Sequence, residues 1–318
     1  MDICPDILSA VGGTPVVRLA RLHPPGNLVA KVEFMNPAGS VKDRIAATMI
    51  DRAEASGLLK PGGTIVEPTS GNTGAALAML AAVRGYHLVA VMADKQSKEK
   101  QDLLRAFGAE VVVCPTDVPP DDPRSYYSVA ARVAAERGAF RPDQYSNPDN
   151  ALGHYLSTGP EIWRQTGGEV DVLVAGVGTG GTISGTARYL KEQKPGVWVV
   201  GADPEGSIYT AASPAEIYPY LTEGVGEDFW PAAYDPSLVD EYEQVSDGEA
   251  FRTARRLAAT EGIFAGGSSG LAVAAALRVA DRRHGDLVVV ILPDSGRNYI
   301  SKAYDDAWMG EHGFLEEQ

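Results

Sequence analysis

Cysteine is scarce in this chain: Cys4 and Cys114 are the only two in 318 residues, with no C-x-x-C spacing and no Cys/His cluster. That rules out a disulfide framework or a zinc site as the organising device. No apolar run reaches the roughly eighteen residues a membrane-spanning helix needs. The amino end, MDICPDILSAVGGTP, has neither a basic start nor a long apolar stretch, so the expected location is the cytoplasm. Positive charge is also short: 28 Lys+Arg face 42 Asp+Glu, leaving a net charge of −14 and a pI near 4.8. Such a surface repels phosphate backbones and anionic membranes, so no nucleic-acid or membrane partner is expected and small molecules are. Lysine itself is rare, with nine in all.

Apolar residues make up 44% of the chain, enough for a large core in one or two domains. β-Branched runs recur at Leu28 to Val32, Thr64 to Val66, Leu88 to Met92, Val111 to Cys114, Val172 to Val177, Val197 to Ala202 and Leu287 to Leu292. Unbroken runs of that length suit strands buried on both faces. Between them lie stretches with helical spacing: Val41 to Ala55, Ala75 to Arg84, Lys98 to Phe107, Ile183 to Leu190, Ala250 to Ala259 and Leu271 to Val279. The alternation predicts an α/β architecture with mainly parallel sheets and helices on both faces. Proline-rich Pro115 to Ser125 reads as a surface connection, and polar Ser146 to Asn150 as the crossing between two α/β halves.

Three glycine- and hydroxyl-rich loops each lead from an apolar segment into a helix. Gly176 to Thr182 (GVGTGGT) can turn its amides inward at a helix N-terminus and cradle a phosphate, though it is neither a lysine-bearing P-loop nor a persuasive dinucleotide motif. Thr69 to Gly74 (TSGNTG) suits a carboxylate equally well, or an ordinary helix cap. Gly266 to Gly270 (GGSSG) alone is a capped helix start. Among the lysines, Lys95, Lys98 and Lys100 lie in a polar, solvated run, KQSKEK. Lys42 stands apart, at a helix opening beside Val41, Ile45 and Ala46. Desolvation there disfavours the ammonium form, which imine chemistry requires, although a plain helix-surface lysine has the same sequence signature.

Five motifs in order, GGTPVVRL (Gly12 to Leu19), NPAGSVKDR (Asn36 to Arg44), EPTSGNTG (Glu67 to Gly74), GTGGT (Gly178 to Thr182) and GGSSG, resemble the β-family of pyridoxal phosphate enzymes over nearly the whole chain. That family includes the cysteine synthases and cystathionine β-synthases. The resemblance implies fold type II, like the tryptophan synthase β subunit, with two doubly wound three-layer α/β/α domains. Residues 1–34 and 146–318 form the larger, cofactor-binding one and residues 35–145 a smaller mobile one. It implies pyridoxal 5'-phosphate as cofactor and Lys42 as its Schiff-base lysine. Asn72 meets the 3'-oxygen; Gly178, Thr179, Gly180, Gly181 and Thr182 hold the phosphate; Ser268 meets the pyridine nitrogen. Thr69, Ser70, Gly71, Thr73 and Gln144 hold the substrate carboxylate, and a homodimer is expected. A serine at the pyridine nitrogen stabilises a carbanion less than an aspartate does, which favours prompt β-elimination and replacement through an aminoacrylate.

DPEGSI (Asp203 to Ile208), EGVGEDFWP (Glu223 to Pro231) and LPDSGRNYISKAYDDAWM (Leu292 to Met309) are similar to the cystathionine enzymes, as are Gly267 and Tyr145. The expected reaction joins serine, or an O-activated serine, to homocysteine. Use of O-acetylserine and sulfide, a related replacement in secondary metabolism and a serine or threonine dehydratase are the enzymatic alternatives. A silent scaffold or a simple nucleotide-binding module accounts for fewer of the motifs. Neither the regulatory nucleotide-binding pair nor the haem-binding extension of some cystathionine β-synthases has a counterpart here, so no adenosyl or haem control is expected.

Overall fold

The computed structural model describes residues 3–315 apart from residues 70, 95, 97, 116, 120 and 121. From the amino end the order is β1 (Val16–Arg18), β2 (Leu28–Val32), α1 (Lys42–Ala55), β3 (Thr64–Pro68), α2 (Asn72–Arg84), β4 (His87–Ala93), α3 (Lys98–Ala106), β5 (Glu110–Cys114) and α4 (Tyr126–Arg137). The chain continues through α5 (Asp149–Leu156), α6 (Thr158–Gln165), β6 (Val170–Gly176), α7 (Gly181–Gln193), β7 (Trp198–Pro204), β8 (Glu241–Val245), α8 (Asp247–Glu261), α9 (Gly267–Arg282), β9 (Leu287–Leu292) and α10 (Asp306–Glu311).

Two sheets result. The larger runs β1-β2-β9-β6-β7-β8, parallel except for the antiparallel β1–β2 pair, and the smaller is the parallel set β3-β4-β5. Successive side chains of a strand point to opposite faces, so an all-apolar strand must feed two cores. In β9, Val288, Val290 and Leu292 pack with α9, while Val289 and Ile291 pack with Ile162 of α6 and Ile183 of α7. In β4, Leu88, Ala90 and Met92 join residues of α1, α2 and α3, while Val89 and Val91 join Val129 and Ala130 of α4. Both sheets are therefore the middle layer of an α/β/α sandwich, which is the expected fold class.

All seven expected strands form, with ends shifted by a residue or two. Cys114 ends β5 and is buried, as its apolar run requires. Strands β1 and β8 and helices α4, α5 and α6 did not stand out in the sequence. VVR and EYEQV are edge strands with half-exposed faces, which carry no continuous apolar signal. Among the described residues no helix is long and apolar enough to cross a membrane.

Candidate active site

The site lies where strand ends of the larger sheet open into loops, the position at which open α/β sheets take ligands. After β2 the chain returns along β9: Ser40 bridges Asp294, and the Val41 amide donates to the Pro293 carbonyl at 2.8 Å. That contact sets the first turn of α1, and Lys42 is its first residue. Asp43 caps backward onto the Ala38 amide at 2.6 Å, and burial pushes its carboxyl up to about 7. The Lys42 amine has no hydrogen bond or ion pair among the described residues. Burial lowers its pKa, opposed by the charges of Glu227 and then Asp294. A lowered pKa favours the neutral, nucleophilic form of the amine, which is the direction imine chemistry requires.

Across a narrow cavity of about 30 Å³, Lys42 faces Gly178, Thr179, Gly180 and Thr182, the loop from β6 into α7. Gly180 adopts φ +80°, and a Cβ on it would stand 2.2 Å from Tyr234; a Cβ on Gly181 would stand 1.9 Å from Asn150 Oδ1. Only glycine permits this path. The amides of Gly178, Thr179, Gly180 and Gly181 have no protein acceptor among the described residues, and they sit at the positive end of α7. The loop is braced from behind. Asn150 donates to the Thr179 hydroxyl at 2.9 Å and to the Gln144 carbonyl at 2.7 Å, and the Tyr209 hydroxyl donates to the Gly178 carbonyl at 2.6 Å. His154 links the hydroxyls of Thr182 (3.1 Å) and Thr158 (2.8 Å); burial keeps its imidazole neutral by lowering its pKa well below the usual value.

None of the remaining candidates lines this cavity; Gly71 and Asn72 line a second one of about 760 Å³, together with Asn36 and Ser295. In the turn between β3 and α2, the Thr69 hydroxyl accepts from the Gly71 amide (3.2 Å) and the Gly74 amide (3.0 Å), while Gly71 takes φ +150°. Ser70 lies outside the described residues. Thr73 donates to Gln144 Oε1 at 2.6 Å, so two carboxylate-site candidates from distant segments meet directly. Gln144 is held by Glu67, whose carboxylate accepts the amides of Asp143 (3.0 Å) and Gln144 (3.2 Å) and steadies Asp143 at φ 51°. Asn72 donates to Asp294 Oδ2 at 2.9 Å, and Tyr299 donates to the same oxygen at 2.6 Å. Ser268, in the first turn of α9, is buried with no hydrogen-bond partner for its hydroxyl among the described residues. Its carbonyl lies 3.9 Å from where a Gly176 Cβ would be, which brings it beside the glycine loop. Tyr145 stacks obliquely on Phe229, with ring centroids 5.4 Å apart.

A model of the family "Pyridoxal-phosphate dependent enzyme" matches residues 7–294. The chain belongs to this family. Its cofactor is accordingly pyridoxal 5'-phosphate, and the residues present fit it: an amine and four helix N-terminal amides, all without partners among the described residues, can meet the aldehyde and the phosphate. The pyridoxal-phosphate chain is 49% identical to rabbit (Oryctolagus cuniculus) cystathionine beta-synthase over 99% of its own length and 59% of the rabbit protein. It is 47% identical to the honeybee (Apis mellifera) protein of that name, over 99% of this chain and 64% of the other. The chain thus spans about three fifths of the curated relatives it matches. A crystal structure of O-ureido-L-serine synthase superposes with a TM-score of 0.89 at 41% identity, covering 97% of this chain and 99% of that one.

Sequence reasoning missed Asp294, Asn150, His154, Glu67 and Glu227, each of which acts through neighbours far along the chain. It also placed Lys100 in solvent, and the structure corrects this. Lys98 has 83% of its side chain exposed but Lys100 only 10%, since Lys100 pairs with Glu223 and sits 5.3 Å over the Tyr299 ring.

Proposed function

We propose that the chain replaces the β-substituent of serine, or of an O-activated serine, with a thiol, and that homocysteine is the acceptor, giving cystathionine. One observation carries the reading: the half-buried Lys42, its amine unpaired among the described residues, shares one cavity with Gly178, Thr179 and Gly180, whose amides have no protein acceptor among the described residues. The names of the curated relatives support the acceptor. When bound, the cofactor supplies an electron sink for the substrate's α-carbon. The protein does the rest. Residues 178–182 hold the phosphate, Ser268 meets the pyridine nitrogen and Asn72 fixes the ring's orientation. Thr69, Ser70, Gly71, Thr73 and Gln144 hold the substrate carboxylate. Lys42 Nζ takes the proton from Cα and later returns it. Tyr145 bounds the β-carbon and donates to a departing hydroxyl.

In this reading residues 35–145 form a smaller unit that closes on residues 1–34 and 146–318, and the protein works as a cytoplasmic homodimer. The similarity to O-ureido-L-serine synthase favours a second reading, in which the acceptor attacks through oxygen rather than sulfur. Offering serine and O-acetylserine with homocysteine and sulfide in competition, and weighing products by mass spectrometry, separates the readings. Predominant cystathionine is expected. Cysteine alone, or no sulfur-containing product, overturns the thiol assignment.

A further inference from the structure

Helix α5 runs behind the glycine loop, and two of its side chains meet the loop together. Asn150 and His154 are one helical turn apart, so they share a face of α5, and both are buried. The two hydrogens of Asn150 Nδ2 go to two acceptors, the Gln144 carbonyl at 2.7 Å and the Thr179 hydroxyl oxygen at 2.9 Å. A carbonyl oxygen only accepts, so turning the amide over would set oxygen against oxygen at Gln144. The Thr179 oxygen is therefore the acceptor, and its own hydrogen goes to no protein group among the described residues. One turn on, His154 Nε2 lies 3.1 Å from the Thr182 hydroxyl, and Nδ1 lies 2.8 Å from that of Thr158 at the start of α6. Thr179 and Thr182 both line the cavity that Lys42 shares.

We propose that Asn150 and His154 are positioning residues for the cofactor's phosphate: they occupy the Thr179 and Thr182 oxygens from behind, so that both hydroxyl hydrogens are donated into the cavity. The proposal rests on the reading that residues 178–182 hold the phosphate. A phosphate ester presents acceptor oxygens and negative charge, so a hydroxyl that turned its lone pairs toward it would repel it. For Thr182 this requirement fixes the imidazole. A neutral imidazole has one donor and one acceptor nitrogen. If Thr182 donates into the cavity, its oxygen accepts from Nε2–H, and Nδ1 accepts from Thr158. Burial, followed by the charges of Arg44 and Lys42, lowers the imidazole pKa and keeps the ring in that neutral state.

The tautomer is read directly by nitrogen-15 NMR of the five histidines in the holoenzyme. The His154 signals, assigned by their loss in His154→Gln, should show the hydrogen on Nε2; a hydrogen on Nδ1 overturns the assignment. Cofactor-free protein is then titrated with pyridoxal 5'-phosphate and with pyridoxal, which lacks the phosphate, following the visible absorbance. Asn150→Asp, whose carboxylate only accepts, and His154→Phe, which has no ring nitrogen, should each weaken binding of the phosphate ester by about 10- to 100-fold and leave pyridoxal unchanged. His154→Gln, whose amide reaches the Nε2 position, should restore most of that affinity, and His154→Asn, which reaches only the Nδ1 position, should not. Equal losses for both ligands, or no loss for the ester, overturn the proposal. A parent protein that holds pyridoxal as tightly as the ester overturns the phosphate reading of residues 178–182 and this proposal with it. A parent that prefers the ester, with variants that keep the preference, overturns the role of α5 alone.

Discussion

Two desolvated lysines in this chain are treated in opposite ways. Lys31, in the middle of β2, is fully buried and surrounded by acceptors: the Thr14 carbonyl at 2.6 Å, Glu161 Oε2 at 2.6 Å and Gln165 Oε1 at 2.9 Å. Arg44 completes the cluster, reaching Glu33 at 2.6 Å and Glu161 at 2.8 Å and so tying α1 to α6 and to the turn after β2. Eleven residues on from Lys31, Lys42 is half-buried with no such partner among the described residues. Burial lowers the pKa of both amines, but at Lys31 the Glu161 hydrogen bond and charge oppose it, whereas Lys42 meets only the more distant charges of Glu227 and Asp294. Desolvation favours the neutral amine at both positions, and a hydrogen-bonded carboxylate opposes it only at Lys31.

Exchanging the two residues' surroundings by mutation sharpens the contrast. Lys42→Ala should reduce turnover by at least about 1,000-fold, since it removes both the anchor and the base. The thermal midpoint of the cofactor-free protein should stay level or rise, because an unpaired desolvated amine is lost. Lys31→Met should do the reverse, costing about 3 kcal/mol of unfolding free energy in denaturant titration while the folded fraction keeps its kcat. A Lys31 variant that loses turnover without losing stability would break the comparison.

A smaller effect follows from Glu161. Burial by itself raises its pKa, but the hydrogen bonds and charge of Arg44, followed by Lys31, outweigh that and hold it at about 2, against an ordinary 4.5. Its folded pKa lies below its unfolded one, so its contribution is present above about 4.5 and is lost as pH falls from there toward about 2. Glu161→Gln should flatten that part of the acid-unfolding profile, and an unchanged slope would show that the cluster is not an electrostatic tie.

The sequence made the strands legible because unbroken apolar runs such as Leu287 to Leu292 can only be buried on both faces. The loops were legible because glycine at 178, 180 and 181 and hydroxyls at 69, 73 and 182 mark turns that lead from a strand into a helix N-terminus. What stayed hidden depends on pairs remote in sequence. Glu33, Arg44 and Glu161 read as ordinary charges until the fold joins them across 117 positions at the widest. Lys100 looks solvated in KQSKEK until Glu223 and Tyr299 arrive beside it. Asp294 looks like a strand-end turn residue until Asn72 and Tyr299 donate to it.

The central claim, that Lys42 is the residue joined to the cofactor, is tested most directly by borohydride reduction of the holoenzyme followed by peptide mass spectrometry. The account predicts the added mass of the reduced cofactor on the peptide carrying Lys42 and on no other. Label on Lys31 or Lys100, or a protein that keeps its visible absorbance yet gives no labelled lysine, would contradict it.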